Sequence, residues 1–354
     1  MNIKEMFKES VIRKVIDRQK KAISFNEEYA ESYQLPQDAN ETQNNSYYFS
    51  CHDMKGSSLL FRLGKRGGNT DEVWFAYKDC LGNVFVNTRQ LFLCSDGETS
   101  VKCLETGKIW EFSFKGKLSK TSPDSNLSAM PAVQEVDAAF KGVFTATNSI
   151  FEFSHHMDSA TLARALAREK WSRGFISGLR ENHQVHYEQQ GHVAGTLFVD
   201  KKVQTIECAA MRDHSYGKRD WAYMDRHIWI MALMENGDAL NVNMVRYPAV
   251  SELQAGYLAA DGKITCLHYA TSMDKLECSG RVPNKFQIKV KLVDNRSFEV
   301  SCEKELEYIF PFDNDIYTIF EGIGNFNIEG LKGRGIIEFG FNKDSCRWTR
   351  ETKE

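Results

Sequence analysis

Hydrophobic spacing changes character three times along the chain. Near the N-terminus, Ile3, Met6, Phe7, Val11, Ile12, Val15 and Ile16 recur at helical spacing with Lys, Arg and Glu between them. This predicts one amphipathic helix, expected to dock on the first folded domain. Residues 35–45 are rich in Gln, Asn, Asp and Thr and read as a polar linker. From Ser46 to Phe114 the pattern becomes short apolar-polar runs, among them Tyr47–Cys51, Leu59–Leu63, Val73–Tyr77, Leu91–Cys94 and Trp110–Phe114. Gly-Gly-Asn, Leu-Gly-Asn, Asp-Gly-Glu and Thr-Gly-Lys punctuate them, and this grammar predicts antiparallel hairpins.

A loop is expected from Gly116 to Val133, which holds Pro123 and Pro131, followed by a long strand signal from Gln134 to Phe153. Residues 158–170 return to helical spacing, with Asp158 or Ser159 as N-cap and Leu162, Ala163 and Leu166 on one face. Short strands then resume from His183 to Phe341, with turns expected at Gln190-Gly191, Asp200-Lys201, Asn236-Gly237 and Asp261-Gly262. A mostly β protein is predicted, with an all-β first half and a second half whose dozen strands suit a closed or nearly closed antiparallel barrel, since closure removes exposed edges. The expected division is a helix and linker (1–45), a first β domain (46–157), a helical connection (158–182) and a second β-barrel domain (183–354).

The chemistry concentrates in Arg212-Asp213-His214-Ser215-Tyr216-Gly217-Lys218-Arg219-Asp220-Trp221, between the apolar runs Val203–Met211 and His227–Met234. It reads as a structured connection at the mouth of a sheet, where binding and catalytic groups gather. Two readings fit it. Arg212, Asp213, Arg219 and Asp220 can form a buried ion-pair lattice above Trp221. Alternatively Asp213, His214 and Tyr216 face a cavity, and a carboxylate beside an imidazole serves as a general acid/base pair. Trp221, Trp229, Asn241, Asn243 and Tyr247 are then candidates for the wall, with core packing as the alternative for Trp229 and Tyr247.

RDHSYGKRDW resembles the R-D-H-S-W-G-x-R-D-W signature of the lipocalin-like carotenoid hydratase (hydroxyneurosporene synthase) type of family, with Tyr216 in the usual Trp position. His186-Tyr187-Glu188-Gln189-Gln190-Gly191 resembles that family's H-Y-E-Q-x-G strand, and Gly333-Arg334-Gly335-Ile336-Ile337-Glu338 its closing G-x-G-x-x-E strand. More loosely, Ser58–Gly64 and Glu72–Phe75 are similar to the first half of the same proteins, including the leader regions of animal phosphoenolpyruvate-synthase-like chains. The resemblance implies two lipocalin-like halves and an enzyme that hydrates, cyclises or isomerises a polyene, isoprenoid or polyketide without a cofactor. A carrier for a hydrophobic ligand, with the ion pairs as rim structure, is the alternative.

Composition narrows the remaining choices. The chain has 354 residues, long enough for two cores, and a net charge of −3 that offers no basic field for nucleic acid or anionic membrane. No apolar run is long enough to span a bilayer, Met1–Ile23 lacks a signal-peptide core, and a cytoplasmic protein is expected. Its nine cysteines form no CxxC pair and are expected to be free thiols. Neither a metal nor a cofactor is expected. His155-His156 beside Asp158 is one weak candidate set, and His183 and His186 would point to opposite faces of a strand. Gly322-Ile323-Gly324 and Gly333-Arg334-Gly335 lack a dinucleotide-site context, and no Gly-x-Ser-x-Gly elbow occurs. The oligomeric state is not legible.

Overall fold

The computed structural model describes residues 3–22, 24–40, 42–67, 71–87, 91–92, 98–121, 134–171, 184–276, 281–312 and 316–343. It is mostly β, built from two closed eight-stranded antiparallel barrels and a short N-terminal helix, which is the lipocalin-like two-barrel fold. His183, Cys94, Cys278, Cys346, and parts of the expected 116–133 loop and 158–182 connection lie outside the described residues.

The chain divides into two compact units, one of residues 26–151 and 184–219, the other of residues 1–25, 152–183 and 220–354. In the first unit the barrel staves are β1 (Gln43–His52), β2 (Ser58–Arg66), β3 (Asp71–Lys78), β4 (Val84–Val86), β7 (Ile109–Thr121), β8 (Glu135–Ala146), β10 (Gln184–Val199) and β11 (Lys202–Lys218). Strands β5 (Leu91–Phe92), β6 (Ser100–Glu105) and β9 (Phe151–Glu152) pair beside this ring. A short helix α2 (Glu27–Glu31), N-capped by Asn26, precedes β1. Inward positions alternate with outward ones, and Phe49, Phe61, Phe75, Phe112, Phe114, Phe140 and Phe144 fill the lumen. Phe49 stacks on Phe112 at 4.1 Å and Phe75 on Phe114 at 4.3 Å.

Strands β10 and β11 differ from the expectation in two ways. They were placed with the second barrel, but β10 pairs with β8 and β11 pairs with β1, so the first barrel closes only when the chain returns after its helices. The expected turn at Gln190-Gly191 is not a turn, because β10 runs unbroken through both residues. Gly191 is there for close approach: a Cβ at that position would lie 2.3 Å from the Thr145 carbonyl oxygen and 2.5 Å from the Phe144 ring. The turn at Asp200-Lys201 is present, both residues at positive φ between β10 and β11. Nor does a loop begin at Gly116, since β7 continues to Thr121.

The second unit closes β12 (Arg226–Met234), β13 (Ala239–Tyr247), β14 (Val250–Ala260), β15 (Lys263–Ala270), β16 (Lys285–Leu292), β17 (Ser297–Phe312), β18 (Tyr317–Ile328) and β19 (Leu331–Asn342) around Ile228, Ile230, Val242, Val290, Ile337 and Phe339. Helix α1 (Ile3–Ala22) buries only Ile12 and Ile16, packed on Ala163 and Ala167 of α4 (Ser159–Ala167). It therefore docks within the second unit, whereas the apolar spacing had suggested the first domain; spacing identifies a buried face but not its partner. Asp158 caps α4 by accepting from the Ala160 N–H, and its other oxygen binds His268 on β15. A shorter helix, α3 (Phe153–His156), is capped by Glu152.

Candidate functional site

The two motifs quoted from the sequence are one structure. Tyr187, Glu188 and Gln189 of β10 lie opposite His214, Asp213 and Arg212 of β11, and His186 lies opposite Ser215. The expected connection is thus strand: β11 continues through Lys218, and RDHSYG is part of it. Successive side chains on a strand point to opposite faces. Arg212, His214 and Tyr216 continue the inward series of Cys208 and Ala210, whereas Asp213 and Ser215 face outward. Asp213 and His214, expected to act together, cannot share a face.

Inside the barrel end, Arg212 is 1% exposed and its two terminal nitrogens each donate to Glu31 Oε1 of α2 at 2.9 Å. Arg212 also donates to Gln189 at 2.8 Å and lies over the Trp110 ring, whose Nε1–H donates to Glu31 Oε2 at 2.7 Å. The buried ion pair thus joins Arg212 to a carboxylate far away in sequence. Arg219 donates to Ser215 Oγ at 2.8 Å, and Asp220 is exposed at the start of a 3-10 turn (Trp221–Tyr223). The ion pairs of the motif reach outside it: outward Asp213 pairs with His186 of β10 and inward Arg212 with Glu31 of α2.

His214 is fully buried, and both ring nitrogens are engaged. Asn45 donates its amide N–H to the Tyr33 carbonyl oxygen, which turns its own oxygen toward His214; Nε2 of His214 therefore donates and Nδ1 accepts from the Tyr187 hydroxyl. Burial and the Arg212 charge hold the imidazole pKa well below its usual value, in keeping with a neutral ring. Tyr47 stacks on His214 at 4.2 Å, and Tyr216 stacks on Tyr33 at 4.0 Å. Burial pushes the Tyr47 hydroxyl up to about 12. These rings pack around His214, and beside them an open pocket of about 570 Å³ is lined by Glu31, Gln34, Tyr47, Cys103 and Trp110. An open pocket of about 780 Å³ lies at the other end of the same barrel, where Cys51, Leu59, Tyr77, Ile206 and Cys208 meet the turns.

On the outward face, His186 Nε2 hydrogen-bonds Asp213 and lies 3.6 Å from Glu188 Oε1. His186 is 29% exposed at its side chain and Glu188 is fully buried. Burial opposes a charged imidazole, but Asp213 and Glu188 outweigh it and raise the His186 pKa.

The second unit holds a further cluster that the sequence reading missed. His227 on β12 uses Nε2 to donate to Glu338 on β19, leaving Nδ1 to accept from the hydroxyl of Tyr317 on β18. The Tyr317 hydroxyl also lies 3.2 Å from Met224 Sδ. These side chains cross over Gly340, where a Cβ would lie 2.2 Å from the imidazole and 2.4 Å from the Tyr317 oxygen. Glycine is poorly suited to a strand interior, and here its missing side chain is what lets histidine and tyrosine meet. Burial, then Glu338, keeps the Tyr317 pKa well above its usual value, so the phenol is protonated. The available sequence signals were Glu338 and Gly340 in the closing GRGIIEFG strand.

Several candidate wall residues surround this cluster. Trp229 lies directly opposite Glu338 in the ladder and Asn243 opposite Trp229, on the outward face that His227 shares. Asn241 is fully buried one step along that face. Trp221 stacks on Tyr317 at 5.2 Å, and Tyr247 stacks on Tyr223 at 5.7 Å. The set proposed as one site therefore falls into two groups, Arg212, Asp213, His214, Tyr216 and Arg219 in the first unit and Asp220, Trp221, Trp229, Asn241, Asn243 and Tyr247 in the second.

The fold has relatives among solved structures. An AttH-type protein of Nitrosomonas europaea is 11% identical with a TM-score of 0.53, covering 90% of this chain and 96% of its own. Kievitone hydratase from Nectria haematococca is 10% identical at a TM-score of 0.48, with 90% and 96% covered. CghA is 9% identical at 0.48, with 89% and 95% covered. At such identity the first likeness shows a shared fold alone. No curated protein matches the sequence. Residues 28–343, a span that takes in both barrels, match the model of the domain of unknown function DUF7064, and the chain belongs to that family.

Proposed function

We propose that this protein is an acid/base enzyme for an uncharged, largely apolar small molecule, with Tyr317 as the proton-transfer group, His227 as its base and Glu338 as the anchor of that base. The observation that carries this reading is the hydrogen-bonded order Tyr317–His227–Glu338 across Gly340. A reactive hydroxyl, an imidazole within reach of it and a third group orienting the imidazole are the parts of an activated proton-transfer centre. The weak contact with Met224 Sδ marks the position that a substrate hydroxyl or carbonyl oxygen would take, after movement of the turn that carries Trp221. Neighbouring outward residues Trp229, Met231, Ile319 and Ile336 favour an apolar substrate. The resemblance to carotenoid hydratase-type proteins supports hydration, cyclisation or isomerisation of a polyene, isoprenoid or polyketide. The carrier alternative rests instead on the open pocket of about 780 Å³ at the end of the first barrel, lined by Cys51, Leu59, Tyr77, Ile206 and Cys208.

The test is turnover in D₂O of a panel of polyenes, isoprenoid alcohols and polyketide enones, read by mass spectrometry as deuterium or water incorporation. Wild type is expected to label at least one class. Tyr317→Phe and His227→Gln, folded by circular dichroism, are expected to slow labelling by about 10² to 10⁴. Wild-type rates in both variants would remove Tyr317 and His227 from the chemistry.

A further inference from the structure

His186, Glu188 and Asp213 bring one imidazole nitrogen and two carboxylates together on the outward face of the first barrel, their ligating atoms all within 4.8 Å of one another. The backbone dictates this convergence. His186 and Glu188 are two residues apart on β10 and so share a face, and Glu188 lies directly opposite Asp213 on β11. Like charges directly opposite in a ladder repel, and a cation held between them relieves the repulsion. The parity that set His183 and His186 aside as a ligand pair in the sequence is what joins His186 to Glu188, because two residues along a strand preserve the face. Asp213 is contributed by the neighbouring strand, which no spacing in the sequence reveals.

We propose that His186, Glu188 and Asp213 form a binding site for a divalent first-row cation, with manganese or zinc as the class that suits one imidazole and two carboxylates. Metal–ligand bonds of about 2.1 Å place neighbouring ligand atoms roughly 3 Å apart, so small side-chain rotations convert the present spacing into coordination. All three groups stand on two adjacent strands of a closed barrel, which keeps the site rigid. Arg219, the nearby cation, donates to Ser215 Oγ at 2.8 Å and, with the Gln184 amide oxygen turned toward it, donates from Nε to that oxygen at 2.9 Å, while its charge also acts on Asp213 and His186. The Tyr317 centre belongs to the other unit.

The full-length protein, stripped with chelator, is titrated with Mn²⁺ and separately with Zn²⁺ by calorimetry, with loss of the free Mn²⁺ resonance as a second readout. One equivalent is expected to bind wild type and to raise its melting temperature. His186→Gln, Glu188→Gln and Asp213→Asn, each checked for native β content, are expected to weaken binding at least about tenfold. Glu188→Asp keeps the charge and is expected to retain part of the affinity, so a lost site is distinguished from a damaged fold. Absence of binding to wild type at millimolar metal, or equal binding by wild type and all three neutral variants, overturns the proposal.

Discussion

Arg212 holds Glu31 through both terminal guanidinium nitrogens at 2.9 Å, an ion pair between residues 181 positions apart. Glu31 lies in a five-residue helix of unremarkable sequence, and only closure of the barrel brings its carboxylate onto the guanidinium. Because both groups are 1% exposed, Arg212→Met strands a buried carboxylate and is expected to lower the unfolding free energy by about 3–5 kcal/mol in urea titrations. Adding Glu31→Leu should recover part of that loss; full additivity of the two costs would mean the groups are not coupled. Glu72 gives a pH-dependent counterpart. Burial alone would raise its pKa, but Arg62 and Arg66 overcome that and hold the carboxyl below its ordinary value. Stability from a depressed carboxyl is complete above the unfolded pKa of about 4.3 and is lost as pH falls through the folded value. Acid titration is therefore expected to destabilise wild type below about pH 4, with Glu72→Gln less stable at neutral pH and shallower in its acid slope. An unchanged slope would assign the acid sensitivity to other carboxyls. Both cases have the same lesson: residue type announces a charge, and only packing names its partner.

At the scale of elements, period-2 alternation predicted strands well and faces imperfectly. It identified the hairpins at Asp200-Lys201, Asn236-Gly237 and Asp261-Gly262, which join β10 to β11, β12 to β13 and β14 to β15. It divided β10 at Gly191 because a glycine beside a polar run looks like a turn, whereas the residue is a contact point under Phe144. The same alternation, applied to Asp213 and His214, separates the expected acid/base pair and puts His186 in its place beside Asp213. Helix α1 shows the converse. Of its apolar series Ile3, Phe7, Val11 and Val15 are exposed, and Ile12 and Ile16 alone are buried. Such a contact is small, so Ile16→Asp is expected to release α1 while leaving the barrels folded. Hydrogen exchange checks this: α1 amides should lose protection and β12–β19 amides keep theirs. Loss of protection in both would make α1 part of the global core.

For the whole molecule the informative feature is connectivity. The first barrel is closed by β11 pairing with β1, from Gln43 opposite Lys218 to His52 opposite Ala209, with the α3 and α4 segments inserted before β10 and β11 return. Such long-range pairing pays loop-closure entropy before it gains contacts, so folding is expected to be slow. Stopping the chain at residue 157, the boundary suggested by the helical spacing that begins at Asp158, leaves β1 and β8 without their closing partners. That fragment is expected to be unfolded or aggregated by circular dichroism and light scattering, and a cooperatively folded monomer would contradict this pairing as a requirement for the first barrel. Alternation, turn chemistry and glycine placement are local properties, and they suffice for the β class, most hairpins and the capped helix after Asp158, because each is encoded within a few residues. The union of HYEQ with RDHSYG, the Glu31–Arg212 pair, the Tyr317–His227–Glu338 chain and the return of β10 and β11 to the first barrel depend on registers between strands far apart in sequence. A register is chosen by the packing of both barrel faces at once, so no single stretch of the chain contains it.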